Sequence, residues 1–169
     1  STGSNNTAIG PYSLFSNTSG TNNTAIGLYT LQANTTGNNN TAVGAAALTS
    51  NATGNNNTAT GYEALYSNTT VGASSGYNNT AVGSNALKLN TIGTNNTATG
   101  YRALNSNIGT LTLGINNTAN GADALFTNDS GFNNTATGYR ALYANTSGYG
   151  NTATGYEALY SNTTSNYNT

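Results

Sequence analysis

The sequence predicts an all-β fold: a parallel β-solenoid or β-roll of nine 17-residue coils, closed by one chain or shared by three. Three observations predict it. One tripeptide recurs at a regular interval, the irregular intervals fall in one phase of the repeat, and five of the seven charged residues share one slot in which adjacent charges are opposite.

The recurring tripeptide is Asn-Thr-Ala, with its threonine at Thr7, Thr24, Thr41, Thr58, Thr80, Thr97, Thr118, Thr135 and Thr152. Successive intervals are 17, 17, 17, 22, 17, 21, 17 and 17 residues. The two longer intervals place insertions of five and four residues near Val71 to Ser75 and Gly109 to Leu113. Insertions confined to one phase belong on one edge of a stacked repeat. The whole chain, 1–169, therefore reads as a single repeat domain.

A 17-residue unit is too short for a pair of helices, and two glycines per unit would each cost a helix about 1 kcal/mol against alanine. Short strands between Gly and Asn corners fit better. The first spans Asn-Thr-Ala-x up to Gly10, and a second is expected over Tyr12 to Phe15 before Asn17. Asn and Gly suit the corners because both tolerate positive φ. Coils stacked about 4.8 Å apart make a rod on the order of 40 Å long.

Six consecutive units place Glu63, Asn85, Arg102, Asp123, Arg140 and Glu157 in the second position after their first glycine. Five of the seven charged residues thus share one slot, and adjacent charges there are opposite. Stacked side chains gain about 0.2–1 kcal/mol from such pairing and lose by like charge.

The predicted core is a leucine ladder of Leu14, Leu31, Leu48, Leu65, Leu87, Leu104, Leu125, Leu142 and Leu159, accompanied by the alanines Ala8 through Ala153. Each buried leucine contributes roughly 1.5–3 kcal/mol, while ordering each residue costs about 1–2 kcal/mol. One leucine per coil falls short of that cost. Either backbone and Asn stacks supply the difference, or several chains pool their apolar faces. Both parities of the Thr7-Ala8-Ile9 segment are semi-apolar, as in a strand covered on both sides, which favours an oligomer.

Asn6 to Ser13 and Asn40 to Ala47 resemble the head repeats of trimeric autotransporter adhesins. Longer stretches such as Asn134 to Gly148 look like repeats of bacterial and phage tail-fibre-type proteins. The likeness covers essentially the whole chain. It implies a trimer of left-handed parallel β-rolls and an adhesive role. The unit departs from the adhesin pattern in being longer and in often placing Thr before the glycine, as at Thr60 and Thr99.

The 4% of charged residues, net charge of −1 and absence of His and Cys exclude most site chemistry. No group titrates near neutrality to activate a hydroxyl, so no catalytic residue, cofactor or metal is expected. Three cationic side chains provide no phosphate-binding patch, so nucleic acid is not an expected partner. No apolar run approaches the length of a membrane span. The start at Ser1, without methionine or leader, is what a processed or excised segment would show.

Two repeated surface features remain. Tyr62, Tyr101, Tyr139 and Tyr156 share one slot, and Tyr66, Tyr143 and Tyr160 another; exposed tyrosines stack on sugars, on partners or on one another. Thr58-Ala-Thr60, Thr97-Ala-Thr99, Thr135-Ala-Thr137 and Thr152-Ala-Thr154 form Thr-x-Thr rungs like those of ice-binding solenoids, interrupted by units with Ile, Val or Asn. The expectation is an extracellular rod on a cell or virion surface. Its expected partners are its own copies, in a homotrimer or an end-to-end filament, and cell-surface glycans or a host receptor. An ice-binding solenoid and a self-assembling filament subunit are the alternatives.

Overall fold

The computed structural model describes residues 2–69, 76–109 and 113–169. Strands β1 (Thr7–Ile9), β2 (Thr24–Ile26), β3 (Thr41–Val43), β4 (Thr58–Thr60) and β5 (Thr80–Val82) are followed by β6 (Leu89–Asn90) and β7 (Thr97–Thr99). Then come β8 (Ser106–Asn107), β9 (Thr118–Asn120), β10 (Thr135–Thr137) and β11 (Thr152–Thr154). The Asn-Thr-Ala strands form one nine-stranded sheet in the order β1-β2-β3-β4-β5-β7-β9-β10-β11, with β6 and β8 making a second small sheet.

Every pairing in the large sheet is parallel and joins equivalent residues, as in Thr7↔Thr24 and Ala8↔Ala25. The register survives both insertions, with Thr58 facing Thr80 and Thr97 facing Thr118. The chain is therefore a parallel β-solenoid of about nine coils. The insertion at Val71 to Ser75 lies outside the described residues; of the second, only Gly109 and Leu113 are described.

The expected second strand over Tyr12 to Phe15 is not one. The segment is a run of turns in which Tyr12 and Leu14 both take positive φ, 57° and 49°. Every ladder leucine repeats this, with φ between 49° and 52°. The cause lies in the core. Ala47 and Leu48, like Ala64 and Leu65, are adjacent in sequence and both fully buried, whereas an extended strand turns neighbours to opposite faces. Left-handed residues bring both inward at about 1–2 kcal/mol each. The turns still bond coil to coil: the Leu48 N–H donates to the Ala64 carbonyl at 3.0 Å, and the Tyr29 N–H to Pro11 at 3.0 Å.

The interior closes within one chain. The ladder leucines from Leu31 to Leu142 are fully buried, as are Ala25, Ala42, Ala59 and their equivalents to Ala136; Leu14 is 9% exposed. Burial of the leucines thus needs no second chain. The alternation in the large sheet sends alanine inward and leaves the flanking positions facing out, as in the buried Ala98 between exposed Thr97 and Thr99.

The glycine before each turn run has a structural reason. Gly44 has φ +127, and a Cβ there would stand 2.6 Å from the carbonyl oxygen and 2.8 Å from the carbonyl carbon of Gly61. The obstacle is backbone and cannot rotate away. Gly44→Ala is expected to cost at least about 1–3 kcal/mol from backbone conformation alone, with the steric term added, read as a lowered midpoint in thermal unfolding.

Candidate functional site

Asparagine supplies what the thin core lacks. One ladder runs Asn6, Asn23, Asn40, Asn57, Asn79, Asn96 and onward to Asn168, with Asn23 through Asn151 fully buried. Each side-chain oxygen accepts the backbone N–H of the next ladder residue, as in Asn40 N–H to Asn23 Oδ1 at 2.9 Å and Asn57 N–H to Asn40 Oδ1 at 3.0 Å. A second ladder runs from Asn17 through Asn34, Asn51, Asn68, Asn90, Asn107, Asn128 and Asn145 to Asn162. In it each Nδ2 donates to the Oδ1 of the preceding coil, as in Asn68 to Asn51 at 2.7 Å.

The ladders meet on the carbonyl of the second glycine of a unit, a place taken by Ser165 in the last one. The Gly37 carbonyl accepts Nδ2 of Asn23 at 2.8 Å and of Asn34 at 3.1 Å. Gly93 accepts Asn79 at 2.9 Å and Asn90 at 3.0 Å in the same way. A buried amide is costly unless bonded, and here donors and acceptors close from coil to coil. The ladders also cross the insertion: Asn79 N–H reaches Asn57 Oδ1 at 3.0 Å.

A third row is exposed. Asn22, Asn39, Asn56, Asn78, Asn95, Asn116 and Asn133 hold positive φ of 55–57°, and Asn22 Nδ2 donates to Asn39 Oδ1 at 3.2 Å. The Asn-x-Thr triplets of the chain, the acceptor pattern for N-glycosylation, therefore divide between surface and interior, as at Asn22 and Asn34. Those on this row face solvent, whereas the amide of Asn34 is buried and closed to a glycan.

Of the charged slot, the structure brings four residues together. Arg102 holds Asp123 through two bonds, Nε to Oδ1 at 2.8 Å and a terminal nitrogen to Oδ2 at 2.9 Å. Arg140 lies on the other side, its Nε 3.8 Å from Asp123 Oδ2 and Nη1 3.6 Å from Glu157 Oε1. The side chain of Asp123 is only 5% exposed, and the carboxylate bonds raise the Arg102 guanidinium above its ordinary value. The guanidiniums also lie over rings, Arg102 at 4.9 Å from Tyr101 and Arg140 at 4.9 Å from Tyr139.

Glu63 does not join that group. It pairs instead with Lys88 at 2.6 Å, a cation that lies three positions beyond the charged slot of its own coil. The Lys88 ammonium, hydrogen-bonded to Glu63, holds its carboxyl below the ordinary 4.5, with help from the Tyr62 hydroxyl. A lowered folded value means that the pair stabilises the chain above the unfolded pKa and is lost as pH falls through the folded one. The Glu63 carboxyl, followed by NMR, is expected to titrate below 4.5. Lys88→Ala should move the midpoint upward. An unmoved midpoint would show that the pair does not form in solution.

The tyrosines of the first slot are exposed: Tyr62 54%, Tyr101 52%, Tyr139 39% and Tyr156 74%. They do not form one continuous stack. Tyr139 and Tyr156 stack at 5.5 Å, Tyr101 carries Arg102, and the Tyr62 hydroxyl hydrogen-bonds Glu63, which raises its pKa. Phe126, Tyr143 and Tyr160 do stack in sequence, at 5.2 and 5.0 Å.

One gap in these rows is a cleft of about 430 Å³. Its floor is Ala45, Ala46 and Thr49 of the third coil. Leu28, Tyr29 and Gln32 wall it on one side, and Tyr62, Glu63 and Tyr66 on the other. Residue-by-residue sequence reading passes over this place, because Ala45 and Ala46 are unremarkable alone. The signal is comparative: this coil carries small side chains in all three outward slots where the coils on either side carry large ones.

Among the described residues, no three His, Cys, Asp or Glu side chains cluster to hold a metal, and no helix is long and apolar enough to cross a membrane. The arrangement offers hydrogen-bonding rows, aromatic faces and one cleft. The fold and these rows stand without a relative: no protein-family model, curated protein or solved structure matches the chain.

Proposed function

We propose that the chain is a structural, non-enzymatic rod, a fibre or adhesin-type module that holds repeated surface groups at fixed spacing outside the cell or virion. One observation carries the reading: the sheet and both buried Asn ladders pass through the insertions without losing register. A framework that absorbs extra residues at one corner keeps its length and straightness while its outward positions vary. Repeated weak contacts along such a rod sum by avidity. The carboxylates Glu63 and Asp123 are engaged in ion pairs, which supports a structural role over acid–base work. Homotrimerisation, end-to-end assembly into a filament and binding of glycans or a host receptor belong to this proposal.

Sedimentation with small-angle scattering tests it. The rod predicts a discrete monomer or trimer with a long axis on the order of 40 Å; an open-ended series of sizes would favour the filament, and a compact sphere would exclude both.

A second reading has its own observation. The outward face of the large sheet presents Thr at the first position of its nine strands, and Ile, Val, Thr or Asn at the third. In-register pairing sets these on a flat lattice about 4.8 by 6.6 Å. Such a regular, uncharged face matches an ordered water surface, and ice binding is the function it would support. Thermal hysteresis in dilute solution measures it directly; none at any concentration removes this reading.

A further inference from the structure

We propose that the cleft over Ala45 and Ala46 binds one pyranose ring of a glycan. The site builds on the proposed rod, since its width is two coil repeats, but it needs neither trimer nor filament.

In the slot that holds Ala46, the two preceding coils carry Tyr12 and Tyr29, stacked at 5.2 Å with 16° between their planes. Tyr12 covers one face of Tyr29. The other face opens over Ala46, where the next rung of the stack is missing, and Tyr29 remains 40% exposed. The walls belong to the second and fourth coils, so they stand two repeats apart, about 9.6 Å. A saturated ring resting on Tyr29 at carbon contact of about 3.5–4 Å lies near the middle of that gap. The volume of about 430 Å³ is within the range of small-molecule sites, roughly 300–1,000 Å³.

The polar groups select the kind of ring. Glu63 occupies the same slot as Tyr29 two coils on and therefore faces it across the cleft. Lys88, at 2.6 Å, keeps that carboxylate charged and oriented. Gln32 and Thr49 lie beside the floor. A pyranose presents a C–H face for Tyr29 and a rim of hydroxyls that donate to Glu63 and Gln32. A purely aromatic guest would stack equally well but would leave the carboxylate against an apolar edge. One open-sided site for one ring implies weak binding, with a dissociation constant on the order of 1 mM.

The test uses the whole chain on a glycan array, with NMR titration of its tyrosine signals by methyl hexopyranosides. Ala46→Tyr refills the missing rung at a position with φ 58°, where Tyr12 and Tyr29 already adopt 57°. It is expected to keep the wild-type melting temperature and lose sugar binding at least tenfold. Tyr29→Ala, which removes the platform, should lose it likewise, and Phe132→Ala, far along the rod, should bind as wild type. Failure of every saccharide to bind the wild type, or equal binding by Ala46→Tyr, overturns the site. So does a change in sedimentation of Ala46→Tyr without any sugar response, which would assign the cleft to an aromatic side chain of a second copy. A chain that sediments as a rod yet binds no sugar refutes this site alone, whereas a chain that is not rod-shaped refutes the proposed function.

Discussion

Asn79→Asp is expected to destabilise the chain by about 3–5 kcal/mol at neutral pH, the scale of an uncompensated buried charge, and to recover most of that loss in acid. Asn79 is fully buried. Its Oδ1 accepts the Asn96 N–H at 3.0 Å, a bond that a carboxylate keeps. Its Nδ2 donates to the Gly93 carbonyl at 2.9 Å and faces Asn68 Oδ1 at 3.5 Å. A carboxylate oxygen in that place would meet two acceptors. Protonation restores a donor, so the folded pKa rises above the unfolded value of about 3.9. The penalty is therefore nearly absent below that value, grows as pH rises, and is complete above the folded pKa. Chemical denaturation of wild type and variant at pH 3 and pH 7 measures it. A variant equally destabilised at both would mean that the amide donates to nothing in the native chain.

Leu87→Ala is expected to cost about 2–5 kcal/mol. Leu87 is fully buried and is the only large apolar side chain in the interior of its coil, flanked there by Ala81 and Ala86. The surrounding backbone is bonded to coils on both sides, as by Leu87 N–H to Ala103 at 3.0 Å, so the cavity has little means of collapse. Leu87→Val gives a sharper contrast. It deletes a single methylene, yet a β-branched residue at φ 50° is a backbone outlier, so its cost should exceed the roughly 0.8 kcal/mol of the lost group. The end-coil positions should cost less: Leu14→Ala, where the leucine is already 9% exposed, and Leu159→Ala, where it is only partly buried.

The period, the register and the leucine ladder were legible because stacking demands them in the sequence itself: residues that lie over one another must recur in phase, and extra residues must leave at one corner. What the Asn residues do was only half legible. Asparagine is a turn former by local propensity, and the row of Asn22 and Asn39, with its positive φ, behaves so. Asn23 and Asn34 carry the same side chain into the interior, because a carbonyl of the same coil and an amide of the neighbouring coil meet it there. A single repeat contains the glycine carbonyl but not the amide of the neighbouring coil. The strand expected over Tyr12 to Phe15 is a turn run for a related reason: its place between Gly and Asn corners suits a short strand, but the adjacency of two small-or-apolar inward residues, as in Ala64-Leu65, is incompatible with an extended one. Of the site, the charged slot could be seen, whereas Lys88 as the partner of Glu63 and the cleft over Ala46 arise from differences between neighbouring coils.

Nuclear Overhauser spectroscopy on the monomeric labelled chain tests the stack most directly. The backbone amide protons of Asn40, Asn57, Asn96, Asn134 and Asn151 should each give cross-peaks to the side-chain amide of the ladder Asn in the preceding coil, and Asn79 should give its own to Asn57, twenty-two residues back across the insertion. Cross-peaks that appear only in an oligomer, or a dispersed spectrum in which Asn79 contacts some other residue, would contradict a single chain that templates itself coil upon coil.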